Sequence, residues 1–234
     1  MQRKRAMRFT LAVAAYIAAA LAVEPYAGPG GVLAIGVVTW LFLLAAVRAL
    51  PRPERARVAA VVAIATGGEI LGSLILGLYA YRRGGIPAFV PPGHGLVYLA
   101  GLRLSESRVA RACARPAAIA AGALWVALTV RHDVVGALAM LALLALVARG
   151  RPLYACIFAV VAGLELYGTG VGTWAWASHW PGLHVTMGNP PSGVAAGYCA
   201  FDFLALRLAP RLDLITRSPV GMAMWQPISI RGTA

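Results

Sequence analysis

The chain has 234 residues, of which 60% are apolar and only 12% charged, against about 25% charged in soluble proteins. Its mean hydropathy is +0.76. These values exclude a disordered chain and a soluble globular domain. Long apolar runs broken by short arginine-rich stretches predict a polytopic membrane protein. The balance of 21 Lys+Arg against 8 Asp+Glu gives a net charge of +13. All the basic residues except Lys4 are arginine. They stand at the ends of apolar runs, not on an amphipathic face or beside stacking aromatics, so no nucleic-acid partner is expected.

In chain order the apolar runs predict spans at 8–24, 31–49, 58–80, 86–102, 114–130, 134–148, 153–177 and 193–208. This is an all-α, polytopic transmembrane helix bundle of about eight spans. The basic patch Met1–Arg5 before an Ala-rich run resembles a signal peptide, but it is read as a retained first span. With the N-terminus in the cytoplasm, 18 of the basic residues fall on the cytoplasmic side. Only Arg82, Arg83 and Arg131 fall outside. This fits the positive-inside rule with both termini cytoplasmic, in an inner or plasma membrane. The fifth and sixth runs make about 22 Å of helix each, short of a core about 30 Å thick. Arg111 and Arg115 can snorkel and lengthen the fifth. Otherwise the pair forms a re-entrant hairpin, leaving six to seven spans. The organisation is one transmembrane domain over 1–208, then a cytoplasmic tail at 209–234. Cys113, Cys156 and Cys199 make no C-x-x-C pair and read as small buried hydrophobes.

The chain repeats itself. Gly68-Glu69-Ile70-Leu71-Gly72, Gly77-Leu78-Tyr79-Ala80-Tyr81 and Pro91-Pro92-Gly93-His94-Gly95 form one set. Leu164-Glu165-Leu166-Tyr167-Gly168, Gly172-Thr173-Trp174-Ala175-Trp176 and Pro190-Pro191-Ser192-Gly193 form the other. The order is the same in each: an acid, Gly three later, two aromatics flanking Ala, then a Pro/Gly breaker. The copies begin at the third and seventh spans, so they share an orientation. A 4+4 parallel repeat follows, with halves of about 1–112 and 113–208.

Glu69 lies ten residues before Tyr79, and Glu165 nine before Trp174. Along a continuous helix this is about 14–15 Å. With the aromatics at the interface, both acids fall near the midplane and face the bundle interior. They are candidate proton donors, with packing glue between helices as the alternative. Gly72 and Gly168 leave room for close helix approach or a ligand. Asp202, inside the last span, is a third candidate, as a partner for Glu165 or a catalytic acid. His94, among prolines and glycines that free backbone groups, is a cavity or capping residue. Tyr79, Tyr81, Trp174, Trp176, Tyr98 and Asn189 are candidate substrate contacts. His179 and His184 read as interfacial, His132 and Asp133 as loop residues, and Glu24, Glu54 and Glu106 as solvated span ends.

The inventory excludes several chemistries. The four histidines form no H-x-x-x-H or H-x-x-H-H box, and H-E-x-x-H is missing. No lysine lies within a span, and D-x-x-x-D and G-x-S-x-G do not occur. No metal or cofactor is expected. Carboxylate chemistry in an apolar cavity remains, or proton-coupled movement.

The run Glu69-x-x-Gly72, Gly77-x-Tyr79-x-Tyr81, Pro87 and Pro91 resembles bacterial carotenoid-biosynthesis membrane proteins. Gly172-x-Trp174-x-Trp176, Gly188 and Pro190-Pro191 resemble the W-x-Y…P segment of integral-membrane lycopene cyclases. Small fungal membrane terpene cyclases share the style of a few buried acids in a bundle of similar length. The resemblance implies acid–base chemistry on a long isoprenoid, with Glu69 as general acid, Glu165 or Asp202 as base and the aromatics as cavity wall. Where the cyclases carry Pro-x-Glu-Glu, this chain has His94 in one copy and Ser192-Gly193 in the other. Three functions stay open. One is an isoprenoid- or lipid-modifying enzyme. The others are a small proton-coupled transporter and a non-catalytic lipid-binding subunit. Each has a hydrophobic lipid or isoprenoid and the membrane lipids as partners.

Overall fold

Prolines open half of the helices, where a missing N–H is harmless and a fixed φ suits the first turn. In a computed structural model, which describes residues 2–217, α2 (Pro29–Arg48) and α7 (Pro152–Gly170) begin on proline. Pro53 and Pro91 lie at the starts of α3 (Arg52–Glu69) and α4 (Val90–Ser105). Side chains cap the next two. Ser107 accepts the Ala110 N–H at the start of α5 (Arg108–Thr129), and Asp133 accepts that of Gly136 at the start of α6 (Val134–Arg149). With α1 (Gln2–Val23) and α8 (Ala195–Arg217), eight α-helices occupy the described residues. Five of them, α1, α2, α3, α5 and α7, are long and apolar enough to cross a membrane.

The fifth apolar run is longer than its sequence pattern shows. Helix α5 takes in Arg108, Arg111 and Arg115 and reaches 22 residues, about 33 Å. Helix α6 has 16 residues, about 24 Å. Helix α8 continues past 208 to Arg217, so the first nine residues of the expected tail are helical. The remainder, 218–234, lies outside the described residues.

The third and seventh runs depart from the continuous helices expected at 58–80 and 153–177. Helix α3 passes into a π turn at Ile70–Ile75 and stops, and α7 stops at Gly170. Gly77 (φ 65°) and Gly172 (φ 73°) then take the left-handed conformation that only glycine adopts freely. Each turns the chain back two residues before an aromatic triplet. The triplets are strands β1 (Tyr79–Tyr81) and β2 (Trp174–Trp176), paired antiparallel with Tyr79 opposite Trp176 and Tyr81 opposite Trp174. A two-stranded ribbon thus closes one end of an otherwise helical bundle.

The core is filled by Leu96, Tyr98 and Leu99 of α4, Met140 and Leu143 of α6, Leu153 and Ile157 of α7, and Val58 and Val61 of α3. Helix α3 packs most extensively on α8, and α4 on α7. Cys156 and Cys199 are buried as expected, but Cys113 is exposed on the first turns of α5.

Two acids read as a solvated span end and a loop residue, Glu24 and Asp133, are structural. Glu24 is 2% exposed and pairs with the Arg83 Nε at 3.3 Å, while Arg83 also donates to the carbonyl of Ala27. Arg82 donates through Nη2 to the Val171 carbonyl at 2.8 Å. These two arginines, exceptions to the charge rule, tie the ribbon to the helix ends. Asp133 is 1% exposed. Besides capping α6 it accepts the N–H of Gly188 at 2.7 Å and of Ser192 at 2.6 Å. It thereby fixes the long connection between β2 and α8.

Candidate functional site

The two ends where α3 and α7 break create the site. Because the chain turns back at Gly77, Tyr79 and Tyr81 do not lie 15 Å beyond Glu69. Their phenols donate to Glu69 Oε2 at 2.8 and 2.7 Å. The second copy is built alike. The indole N–H groups of Trp174 and Trp176 donate to Glu165 Oε2 at 2.9 and 3.1 Å. The separation of about 14–15 Å expected between each acid and its aromatics is corrected accordingly. Glu69 is six residues before the end of the π turn and Glu165 five before the end of α7, so each is about 8–9 Å from its helix end.

Glu69 has a third partner. His94 Nε2 lies 2.8 Å from Oε1, so three groups converge on one carboxyl. The second nitrogen, Nδ1, is buried and has no partner among the described residues. At Glu165 both indoles use Oε2, and Oε1 has no partner among the described residues. Burial, and then the adjacent Glu69, push the Tyr79 and Tyr81 phenols well above the ordinary tyrosine range, so both remain donors.

All these groups except the strand alanines line one cavity of about 210 Å³. The rest of its wall is apolar or aromatic, with Tyr198 and Phe201 of α8 and Tyr16 of α1, apart from Thr39 of α2, whose hydroxyl is bonded to Tyr16 and to the Ile35 carbonyl. The Tyr79 and Trp176 rings meet at a tilt of 47° with centroids 4.5 Å apart, and the His94 ring lies 5.2 Å from Tyr198. The sequence reading did not single out Tyr198, Phe201, Tyr16 or Thr39. The signal for Tyr198 was its place one turn before Asp202 on the same helix face.

Glycine is required at two matched points. A Cβ on Gly72 would meet the Tyr79 ring at 3.0 Å, and one on Gly168 would overlap the Trp174 indole. Gly163, in the same helix, has open space. Gly168→Ala is therefore expected to displace Trp174, cost about 1–3 kcal/mol and shift the tryptophan fluorescence. Gly163→Ala should be neutral or stabilise by up to about 1 kcal/mol. Thermal unfolding in detergent checks both.

Of the expected site residues, Glu69, His94, Glu165, Tyr79, Tyr81, Trp174 and Trp176 come together at the cavity. Asp202, Tyr98 and Asn189 do not. Tyr98 follows His94 by one turn on α4, and Asp202 follows Tyr198 by one turn on α8. The rungs pair His94 with Tyr198 and, one turn on, Tyr98 with Asp202, whose Oδ1 accepts the phenol at 2.7 Å. Asp202 also pairs with the Arg151 Nη1 at 2.8 Å, so its partner is an arginine and not Glu165. Asn189 sits beside the ribbon, where its Oδ1 accepts the Trp176 N–H at 3.0 Å. Among the described residues no group of three His, Cys, Asp or Glu is placed to hold a metal ion. Compared with known families, curated proteins and solved structures, the chain matches none of them.

Proposed function

We propose that this is an integral membrane enzyme acting on a long isoprenoid or similar lipid by acid–base chemistry, of the cyclase or isomerase type. One observation carries the reading. Among the described residues, an aromatic, apolar cavity holds polar atoms without hydrogen-bond partners, and the reading rests on two of them, His94 Nδ1 and Glu165 Oε1. One lies on each of the two similar segments.

The hydrogen bonds divide the labour. With both indoles on Oε2, Glu165 is free to carry its proton on Oε1 and present it to the cavity. Transfer of that proton to a trisubstituted double bond forms a C–H bond and leaves a tertiary cation. The faces of Tyr79, Trp176 and Tyr198 stabilise the charge. Capture of the cation by a second double bond of the same chain closes a ring; without capture the double bond only migrates. His94 Nδ1 then removes a proton from the neighbouring carbon, and that C–H pair becomes the new double bond. Glu69, holding Nε2–H, fixes the tautomer that leaves Nδ1 a lone pair. The reaction is redox-neutral, and the proton passes back from His94 to Glu165 before the next turnover. Glu69 is thus the residue that positions the base, and Glu165 the acid. The cavity is smaller than the roughly 300–1,000 Å³ of sites that enclose a whole drug-sized ligand. It therefore suits the reacting segment of a long chain whose remainder lies among lipid.

We also infer a 4+4 duplication with eight crossings and both termini cytoplasmic. The matched Glu–Gly–aromatic geometry and the reciprocal packing of α3 on α8 and α4 on α7 support it. The flanking helices have diverged: α1 packs on α4, whereas α5 packs on α6 and α7.

The test is extraction and mass spectrometry of lipids bound to the purified protein, for wild type and Glu69→Gln. An isoprenoid that differs in amount or structure between the two is the expected result. Bulk phospholipid alone, identical in both, overturns the proposal.

A further inference from the structure

The end of the bundle away from the ribbon carries most of the arginines. Arg103 at the end of α4 meets Glu54 of α3 at 3.2 Å, and Arg115 of α5 donates to the Gly150 carbonyl between α6 and α7 at 2.8 Å. The acids nearby are already engaged. Glu54 and Glu106 both pair with Arg103, and Asp202 pairs with Arg151. Arg108, Arg111 and Arg149 have no carboxylate partner among the described residues.

A second cavity, of about 270 Å³, lies here between the first turns of α5 and the start of α7. Arg111 and Arg115 line it together with Pro116, Pro152 and two alanines. We propose that it binds the phosphate of an anionic membrane phospholipid. Arg115 spends one Nη2 on Gly150, which fixes its guanidinium while leaving further N–H groups to donate. The Arg111 guanidinium has no hydrogen-bond partner among the described residues. Two guanidiniums in one concavity match a phosphodiester, and forked donation to phosphate is what arginine does best. No carboxylate lines the pocket to receive the ammonium of a zwitterionic headgroup.

The surface below the pocket selects a lipid over free phosphate. Ala112, Pro116, Ala120, Leu124 and Leu128 are four residues apart and form one stripe down α5. Leu124 and Leu128 are 60% and 74% exposed. This stripe leads from the pocket along a helix long enough to cross a membrane, and an acyl chain can follow it. A free anion would gain nothing from it.

Native mass spectrometry of the full chain, released from mixed phosphatidylglycerol and phosphatidylcholine vesicles, tests this. Phosphatidylglycerol should be retained preferentially. Arg111→Gln should lower its retention about tenfold, the size of one charge-assisted contact. Arg115→Lys, which keeps the charge but loses the fork, should lower it less. Arg52→Gln, an exposed arginine at the same end but on α3, should leave it unchanged. Circular dichroism confirms that each variant is folded. Equal loss with Arg52→Gln would mean diffuse attraction to the whole face and would overturn the pocket. So would unchanged retention in Arg111→Gln. Displacement of the lipid by millimolar inorganic phosphate would overturn the lipid assignment in favour of a free anion.

Discussion

Glu69→Ala will destabilise the protein by about 3–5 kcal/mol, whereas Glu69→Gln will leave it nearly as stable and, under the proposed acid–base mechanism, inactive. The alanine strands three groups at once: the Tyr79 and Tyr81 phenols and His94 Nε2. Each buried group left without its partner costs about 1–3 kcal/mol. Tyr79, the most exposed of the three, contributes least. For a chain of this length the thermal midpoint should fall by about 2–4 °C per kcal/mol. Glutamine behaves differently. Its amide oxygen still accepts both phenols, and its NH₂ faces His94 Nε2. The imidazole keeps this bond by changing tautomer, so that Nε2 accepts and Nδ1 carries the hydrogen. All three contacts survive, but the lone pair on Nδ1 is gone, and with it the proposed base. Nitrogen chemical shifts of His94 report the tautomer directly, and lipid analysis reports the loss of product. A folded Glu69→Gln that keeps the wild-type tautomer and product would overturn the role given to Glu69.

This contrast depends on details that the sequence carried only in part. The matched segments around Glu69 and Glu165 were legible because acid, glycine and aromatic recur in one order. Their place near each other in one cavity follows from that recurrence. The distance from acid to aromatic was not legible, because it assumed an unbroken helix through Gly77 and Gly172. Leu76, Leu78 and Ala80 carry the apolar pattern across Gly77, so nothing there marks the first turn, whereas the glycine-rich run Gly168-Thr169-Gly170-Val171-Gly172-Thr173 was an available signal for the second. The positive φ at each and the β-ribbon that follows are visible only in three dimensions. Asp133 was hidden for a related reason. Its place before an apolar run signals a helix cap, but two of the three N–H groups it accepts come from a connection more than fifty residues away. Glu24 shows the same effect from the other side. A glutamate at a span end reads as solvated until Arg83, distant in sequence, folds over it.

Asp202 is a buried acid whose partners give it a structural role. It is fully buried, while the Arg151 side chain is 40% exposed. The pair therefore responds asymmetrically to truncation. Arg151→Ala leaves a buried carboxyl with one neutral donor, the Tyr98 phenol, and is expected to cost about 3–5 kcal/mol. Asp202→Leu removes the buried charge itself. Arg151 can then turn to water, and only the Tyr98 hydroxyl is stranded, at about 1–3 kcal/mol. Joining Asp202→Leu with Tyr98→Phe should recover most of that, since replacing both partners of a buried hydrogen bond by apolar groups is nearly neutral. Reversible unfolding in mixed micelles measures the set, and the ranking carries the argument more than any single value. Because Asp202 lies one helical turn beyond the cavity, under the proposed function the double variant should leave any bound lipid and product unchanged. Loss of product at full stability in Asp202→Asn would instead put this acid back into the chemistry, with Tyr98 as its link to His94.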